Sequence, residues 1–88
     1  MPSPIRKRYN ANPVCSMMFA NETYKTVAIY SDNLLIGTIG KRGNRRVQSF
    51  TVRQGDELTF KDSENSNISS TTVGSSYTVT CPATTAQF

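Results

Sequence analysis

The sequence predicts an all-β fold: a small antiparallel β-sandwich or partly open barrel of six to seven short strands, preceded by an extended basic N-terminal arm. Three observations lead there. Short runs of β-branched and aromatic residues recur along the chain, turn residues separate them every 8 to 12 positions, and no stretch carries a helical period. Ser, Thr and Asn are abundant and only 36% of the 88 residues are hydrophobic, a strand-and-turn composition that supports one domain with a thin core.

Residues 1–13, M-P-S-P-I-R-K-R-Y-N-A-N-P, combine three prolines with three consecutive cations and read as an extended arm. The β domain is expected over residues 14–82, with 83–88 as a C-terminal tail. Val14 to Ala20 is the first strand. Tyr24 to Tyr30 alternates with Lys25, Val27 and Ile29 on one face and Tyr24, Thr26, Ala28 and Tyr30 on the other, the period of a sheet. Ser31-Asp32-Asn33 turns it into Leu34 to Ile39, and the apolar run Leu34-Leu35-Ile36 suggests a strand covered on both faces.

Gly37 to Val52 then reads as a strand end, a glycine-punctuated turn with four cations, and a strand in which Gln48, Phe50 and Val52 alternate with Val47, Ser49 and Thr51. Gln54-Gly55-Asp56 is a tight turn, after which Leu58 and Phe60 face the core and Glu57, Thr59 and Lys61 face water. A polar loop, Asp62 to Asn67, leads to Ile68 to Val73, whose S-S-T-T centre has little to bury and predicts an edge strand. Gly74-Ser75-Ser76 turns into Tyr77 to Cys81, and Pro82 ends that strand.

Charge is distributed unevenly. The net charge is +4, but residues 1–55 hold nine cations (Arg6, Lys7, Arg8, Lys25, Lys41, Arg42, Arg45, Arg46, Arg53) against Glu22 and Asp32, giving +7. Residues 56–88 hold Lys61 against Asp56, Glu57, Asp62 and Glu64, giving −3. Such polarity suits an anionic partner at one end or packing between copies of the chain. Two clusters are the candidate interaction sites: Arg6, Lys7, Arg8 and Tyr9 on the arm, and Lys41, Arg42, Arg45 and Arg46 on the basic hairpin. Loop amides and guanidinium forks could grip phosphates there, although G-K-R-G-N-R-R lacks the features of a Walker loop.

Catalysis finds little support. The chain has no His, and adjacent Asp56 and Glu57 would point to opposite faces of a strand. No cofactor and no metal are expected; the acids of D-S-E-N-S-N lack the glycine and distal glutamate of an EF-hand loop. Cys15 and Cys81 lie in the first and last strand candidates, so they could form a disulfide tying the ends together or remain two buried thiols. Phe88 would be oddly exposed unless it docks. No run of 18 apolar residues exists, so no membrane span is expected. The basic start lacks an apolar segment after it, so no secretory leader is expected and synthesis is assigned to the cytoplasm.

The phrase R-Q-G-D-E-L-T-F at 53–60, a polar loop, and S-Y-T-V-T-C at 76–81 resembles the later strands of an immunoglobulin-like sandwich, and a jelly-roll-like arrangement fits the same strand spacing. A basic arm on a compact β domain looks like the arrangement in viral and phage shell proteins, where arms lace subunits together or touch the genome. The expected function is therefore a non-enzymatic subunit of a larger assembly, such as a minor capsid, cementing, decoration or spike-base protein, with other protein subunits as partners and incorporation into a virion. The alternatives are a small nucleic-acid-binding barrel using the 41–46 loop and the arm, and a processed extracellular adhesion or carbohydrate-binding module from which a leader has been removed.

Overall fold

A computed structural model describes residues 12–40 and 47–88, and among these the chain is all-β, with no helix. The strands are β1 (Val14–Ala20), β2 (Val27–Ser31), β3 (Leu34–Ile39), β4 (Val47–Arg53), β5 (Glu57–Lys61), β6 (Ser76–Thr78) and β7 (Ala86–Gln87). They form two sheets, one in the order β4-β1-β7 and one in the order β3-β2-β5-β6. All pairings are antiparallel except β1 with β7. The described strands do not close into a barrel.

The alternating pattern explains why the two sheets share one core. Met17 and Phe19 of β1, Val52 of β4 and Ala86 of β7 come from the first sheet; Val27, Ile29, Ile39, Leu58 and Phe60 come from the second. Each is buried while its sequence neighbours on the strand are less so, as expected when one face of each sheet meets the other and one meets water. The Phe19 and Phe50 rings meet with centroids 5.6 Å apart, tilted by 55°. Gly37 lets this packing happen: the Phe50 ring occupies the place a side chain on Gly37 would take.

The β2–β3 hairpin turns on Asp32 (φ 50°) and Asn33 (φ 71°), two consecutive left-handed residues of the kind that match hairpin twist, with Ser31 paired to Leu34. The second strand starts later than its alternation suggests. Asn21, fully buried, donates from Nδ2 to the carbonyls of Lys25 (2.8 Å) and Gly40 (3.0 Å) and accepts at Oδ1 from the Thr23 amide (2.9 Å) and hydroxyl (2.7 Å). These bonds hold residues 21–25 in a loop that local hydrogen bonding favours over the ladder.

Four further expectations are corrected. Leu34 and Leu35 are 70% and 51% exposed rather than covered, because β3 is an end strand. Residues 37–52 are not a paired hairpin: β3 lies in one sheet and β4 in the other, so the 41–46 segment joins two layers. Residues 68–73 form no strand; only the bridge between Ser70 and Gly74 is present there. The strand expected over Tyr77 to Cys81 ends at Thr78, where Val79 instead exchanges backbone bonds with the turn, its amide donating to Asp56 and its carbonyl accepting from Gly55, both at 2.9 Å.

The segment set apart as a tail is part of the first sheet. Ala86 and Gln87 pair in parallel with Phe19 and Ala20, and Phe88 is only 8% exposed, its ring edge-on to Phe60 at 4.8 Å between centroids. The free edge of β7 is covered by hydroxyls rather than by a strand. Ser70 Oγ (2.8 Å) and Thr71 Oγ1 (3.1 Å) donate to the Gln87 carbonyl, Thr72 Oγ1 donates to Thr85 (2.8 Å), and the Gln87 amide donates back to Thr72 Oγ1 (3.1 Å). The S-S-T-T stretch expected as an edge strand instead satisfies the edge of β7 with its side chains.

Candidate interaction surfaces

The arm residues Arg6, Lys7, Arg8 and Tyr9 and the loop residues Lys41, Arg42, Arg45 and Arg46 lie outside the described residues. Cys15 and Cys81 are joined by a disulfide, with Cα atoms 5.9 Å apart, linking β1 of the first sheet to the segment that follows β6 of the second. Phe88 docks on its own core.

Two of the four acidic residues of the second half, Asp56 and Asp62, serve turns. Asp56 Oδ2 accepts from the Arg53 amide (3.1 Å), closing a turn in which Gly55 has φ 96°. Glu57 Oε1 accepts from the Thr78 hydroxyl (2.9 Å) across β5 and β6. In the 62–67 loop, Asp62 Oδ1 accepts the amides of Glu64 (2.9 Å) and Ser66 (3.0 Å), while Lys25 Nζ approaches Glu64 at 3.3 Å and Asp62 at 3.7 Å. Glu64 first, then Asp62, raises the Lys25 pKa.

The Asp62 carboxyl is held below its ordinary 3.8, first by the Ser66 amide, against a desolvation that pushes the other way, with the Glu64 amide and Lys25 adding to the lowering. A carboxyl whose folded pKa is depressed contributes stability that is complete above 3.8 and lost as pH falls through the folded value. Asp62→Asn is therefore expected to reduce the urea midpoint near neutral pH, with the gap from the unsubstituted chain narrowing well below pH 3.8. A gap independent of pH would show that charge is not what the loop uses.

Two surfaces emerge that alternation alone did not single out. The first is the side where the layers meet through β3 and β4, which contact each other and are both end strands. The second is a polar cleft of about 430 Å³ on the outer face of the second sheet, lined by Asn33, Thr59, Lys61, Asn67, Ser75 and Ser76. Tyr30, paired with Thr59, lies on the same face, with Lys61 Nζ 5.4 Å from its ring centroid. Alternation did put Tyr30 opposite the buried Val27 and Ile29, and Thr59 and Lys61 on the wet face of their strand. Their meeting depended on a register that no short-range signal encodes.

Among the described residues no helix is long and apolar enough to cross a membrane, which says nothing of a crossing by strands. Comparison with protein-family models, curated proteins and solved structures finds no match for this chain.

Proposed function

We propose that this protein is a non-enzymatic structural subunit that works as one copy among many in a larger assembly, its two sheets being the layers of a small sandwich. The observation that carries this reading is an asymmetry between the two sides of the fold. On one side the sheets end in short strands, β6 of 3 residues and β7 of 2, and the β7 edge is bonded to hydroxyls. On the other side they end in β3 and β4, of 6 and 7 residues, without proline and with Arg53 as the one charged residue. Long edges with little charge are templates for pairing with another chain, and β3, which has no ladder partner besides β2 among the described residues, adds exposed Leu34 and Leu35.

In this reading a neighbouring subunit adds a strand to that side. The arm residues Arg6 to Arg8 and the 41–46 cations supply complementary charge toward the acidic second half of adjacent copies. A minor capsid, cementing, decoration or spike-base role is the setting that suits a chain of this size.

The native mass of the protein as isolated from its source tests the reading, with a large particle expected. For the isolated chain at high concentration, Leu35→Lys should raise the dissociation constant of self-association about tenfold, since a lysine on an edge opposes pairing. A free 9.7 kDa species under both conditions would overturn the proposal. A salt-sensitive DNA or RNA complex that disappears when Lys41, Arg42, Arg45 and Arg46 become Ser would replace it with nucleic-acid binding.

A further inference from the structure

The polar cleft on the second sheet is built by a break in the chain that flanks β5. Beside the first part of β5 runs β6, where Ser76 pairs with Thr59; beside its end, Asn67 bridges to Lys61 and the Ile68 amide donates to Phe60 (3.0 Å). Between Asn67 and Ser75 the chain leaves this sheet to cover β7, where the Thr71 amide donates to Gln87 at 2.7 Å. A notch remains between the point of departure and the point of return, with Asn33 of the β2–β3 turn also on its wall.

The lining gathers several uncommitted polar side chains in one concave place. The side chains of Asn21, Thr23, Asp62, Ser70, Thr71, Thr72 and Thr78 hold hydrogen bonds within the chain. The side chains of Asn33, Thr59, Asn67, Ser75 and Ser76 make none within the described chain, and Lys61 has no carboxylate partner among the described residues. Two amides and three hydroxyls offer both donors and acceptors to whatever enters.

The ligand's chemistry follows from that set. A volume of about 430 Å³ falls within the range of small-molecule sites, but the usual apolar lining is missing, so the occupant must itself be densely polar. Hydroxyls and amides in alternation match the hydroxyls of a pyranose. One ammonium and no carboxylate among the lining residues calls for one negative charge. A doubly charged phosphate is better matched by guanidinium forks or clustered amides, which this wall lacks, than by a single lysine. Asp62, which follows Lys61, has its carboxylate taken up by the Glu64 and Ser66 amides and by Lys25, and Glu57 stands at the far end of β5. Glu57 is four residues from Lys61, about 13 Å along the strand, and is bonded to Thr78; Asp32 accepts from the Glu57 amide at 3.3 Å.

The geometry points to this cleft as a binding site for a monoanionic sugar, a uronate or a sugar sulfate ester. The site is separate from the open edges and does not depend on the assembly reading. Lys61 meets the acidic group, Asn33 and Asn67 bracket the ring hydroxyls, and Thr59, Ser75 and Ser76 line the base.

The test is a titration of the full isotope-labelled chain with glucuronate, glucose 6-sulfate and glucose, followed by amide chemical shifts. Saturable shifts centred on Asn33, Thr59, Lys61, Asn67, Ser75 and Ser76 are expected with at least one anionic sugar, at a dissociation constant on the order of millimolar. Binding of glucuronate alone or of the sulfate alone identifies the acidic group. Glucose should bind at least about tenfold more weakly, and Lys61→Gln should weaken the anionic sugar by about tenfold. The spectrum of each variant reports whether it is folded; should Lys61→Gln not fold, Asn67→Ala takes its place with a comparable loss expected. Absence of shifts with all three sugars, shifts outside the cleft, glucose binding as tightly as the acids, or unchanged binding in the variant would each overturn the assignment.

Discussion

Replacing Cys15 and Cys81 together by Ala should lower the unfolding free energy by about 4 kcal/mol, the largest loss expected from any local change in this chain. The cross-link closes a loop with a sequence separation of 66, and in the chain-entropy account a loop of that length restricts the unfolded ensemble by about this much. A domain of this size is expected to have roughly 4 to 13 kcal/mol in total, so the loss would consume a third of it or more. At about 4 to 8 °C per kcal/mol, the thermal midpoint should fall by roughly 15 to 30 °C, and a reductant should reproduce the effect on the unsubstituted chain. A shift below about 5 °C in both experiments would show that packing around Cys15 and Cys81, rather than the covalent link, holds the layers together there.

Phe88→Ala should cost about 3 to 4 kcal/mol, a magnitude more usual for the middle of a core strand than for the residue that follows a strand of 2 residues. Its ring lies edge-on against Phe60, and its backbone is bonded on both sides, the amide donating to Ala20 and the carbonyl accepting from Glu22, each at 2.9 Å. Removing the ring opens a cavity between the sheets but leaves those backbone bonds. Phe88→Leu should therefore recover more than half of the loss, because most of the buried apolar volume returns. Chemical denaturation of the three proteins checks both statements. Equal stability of Phe88→Ala and the unsubstituted chain would mean that β7 contributes its hydrogen bonds alone.

Both effects bear on how the protein would work in an assembly. The disulfide and the Phe88 contact each join one sheet to the other: Cys15 lies in β1 and Cys81 beyond β6, while Phe88 follows β7 and Phe60 lies in β5. In a thin two-layer domain stiffened in this way, β3 and β4 supply the core through Ile39 and Val52, while the exposed Leu34 and Leu35 contribute little to it. This separates stability from docking, so Leu35→Lys is expected to change association while leaving the unfolding midpoint close to that of the unsubstituted chain.

Much of the local structure was legible in the residues. Val14–Ala20 and Leu34–Ile39 begin and end where the side-chain pattern places them, and Leu58 and Phe60 are buried as their alternation requires. Asp32 and Asn33 announce the tight turn between β2 and β3 because both tolerate left-handed backbone. Asp56 and Asp62 stood out only as acids set aside for catalysis and metal binding, not as the turn acceptors they are. That role needs an amide brought to within about 3 Å by the fold around it. The cleft was less legible still, since Asn33, Thr59, Lys61, Asn67 and Ser76 are distant in sequence and no spacing rule connects them.

What the sequence determined by itself is the class of structure and the alternating faces of β2, β4 and β5, because a period of two is a property of neighbouring residues. It also determined where the chain turns and how its charge is divided. What only the tertiary structure decided is which sheet each strand joins. That choice placed β3 and β4 in different layers although they follow one another, left Leu34 and Leu35 at an edge, drew residues 86–88 into the first sheet beside β1, and gave the S-S-T-T segment an edge to cover. The physical reason is that strand partnership is set by contacts between residues far apart in the chain. Their free energy depends on burying Phe88, Phe60 and Phe19 in one core, and no run of adjacent residues carries that information.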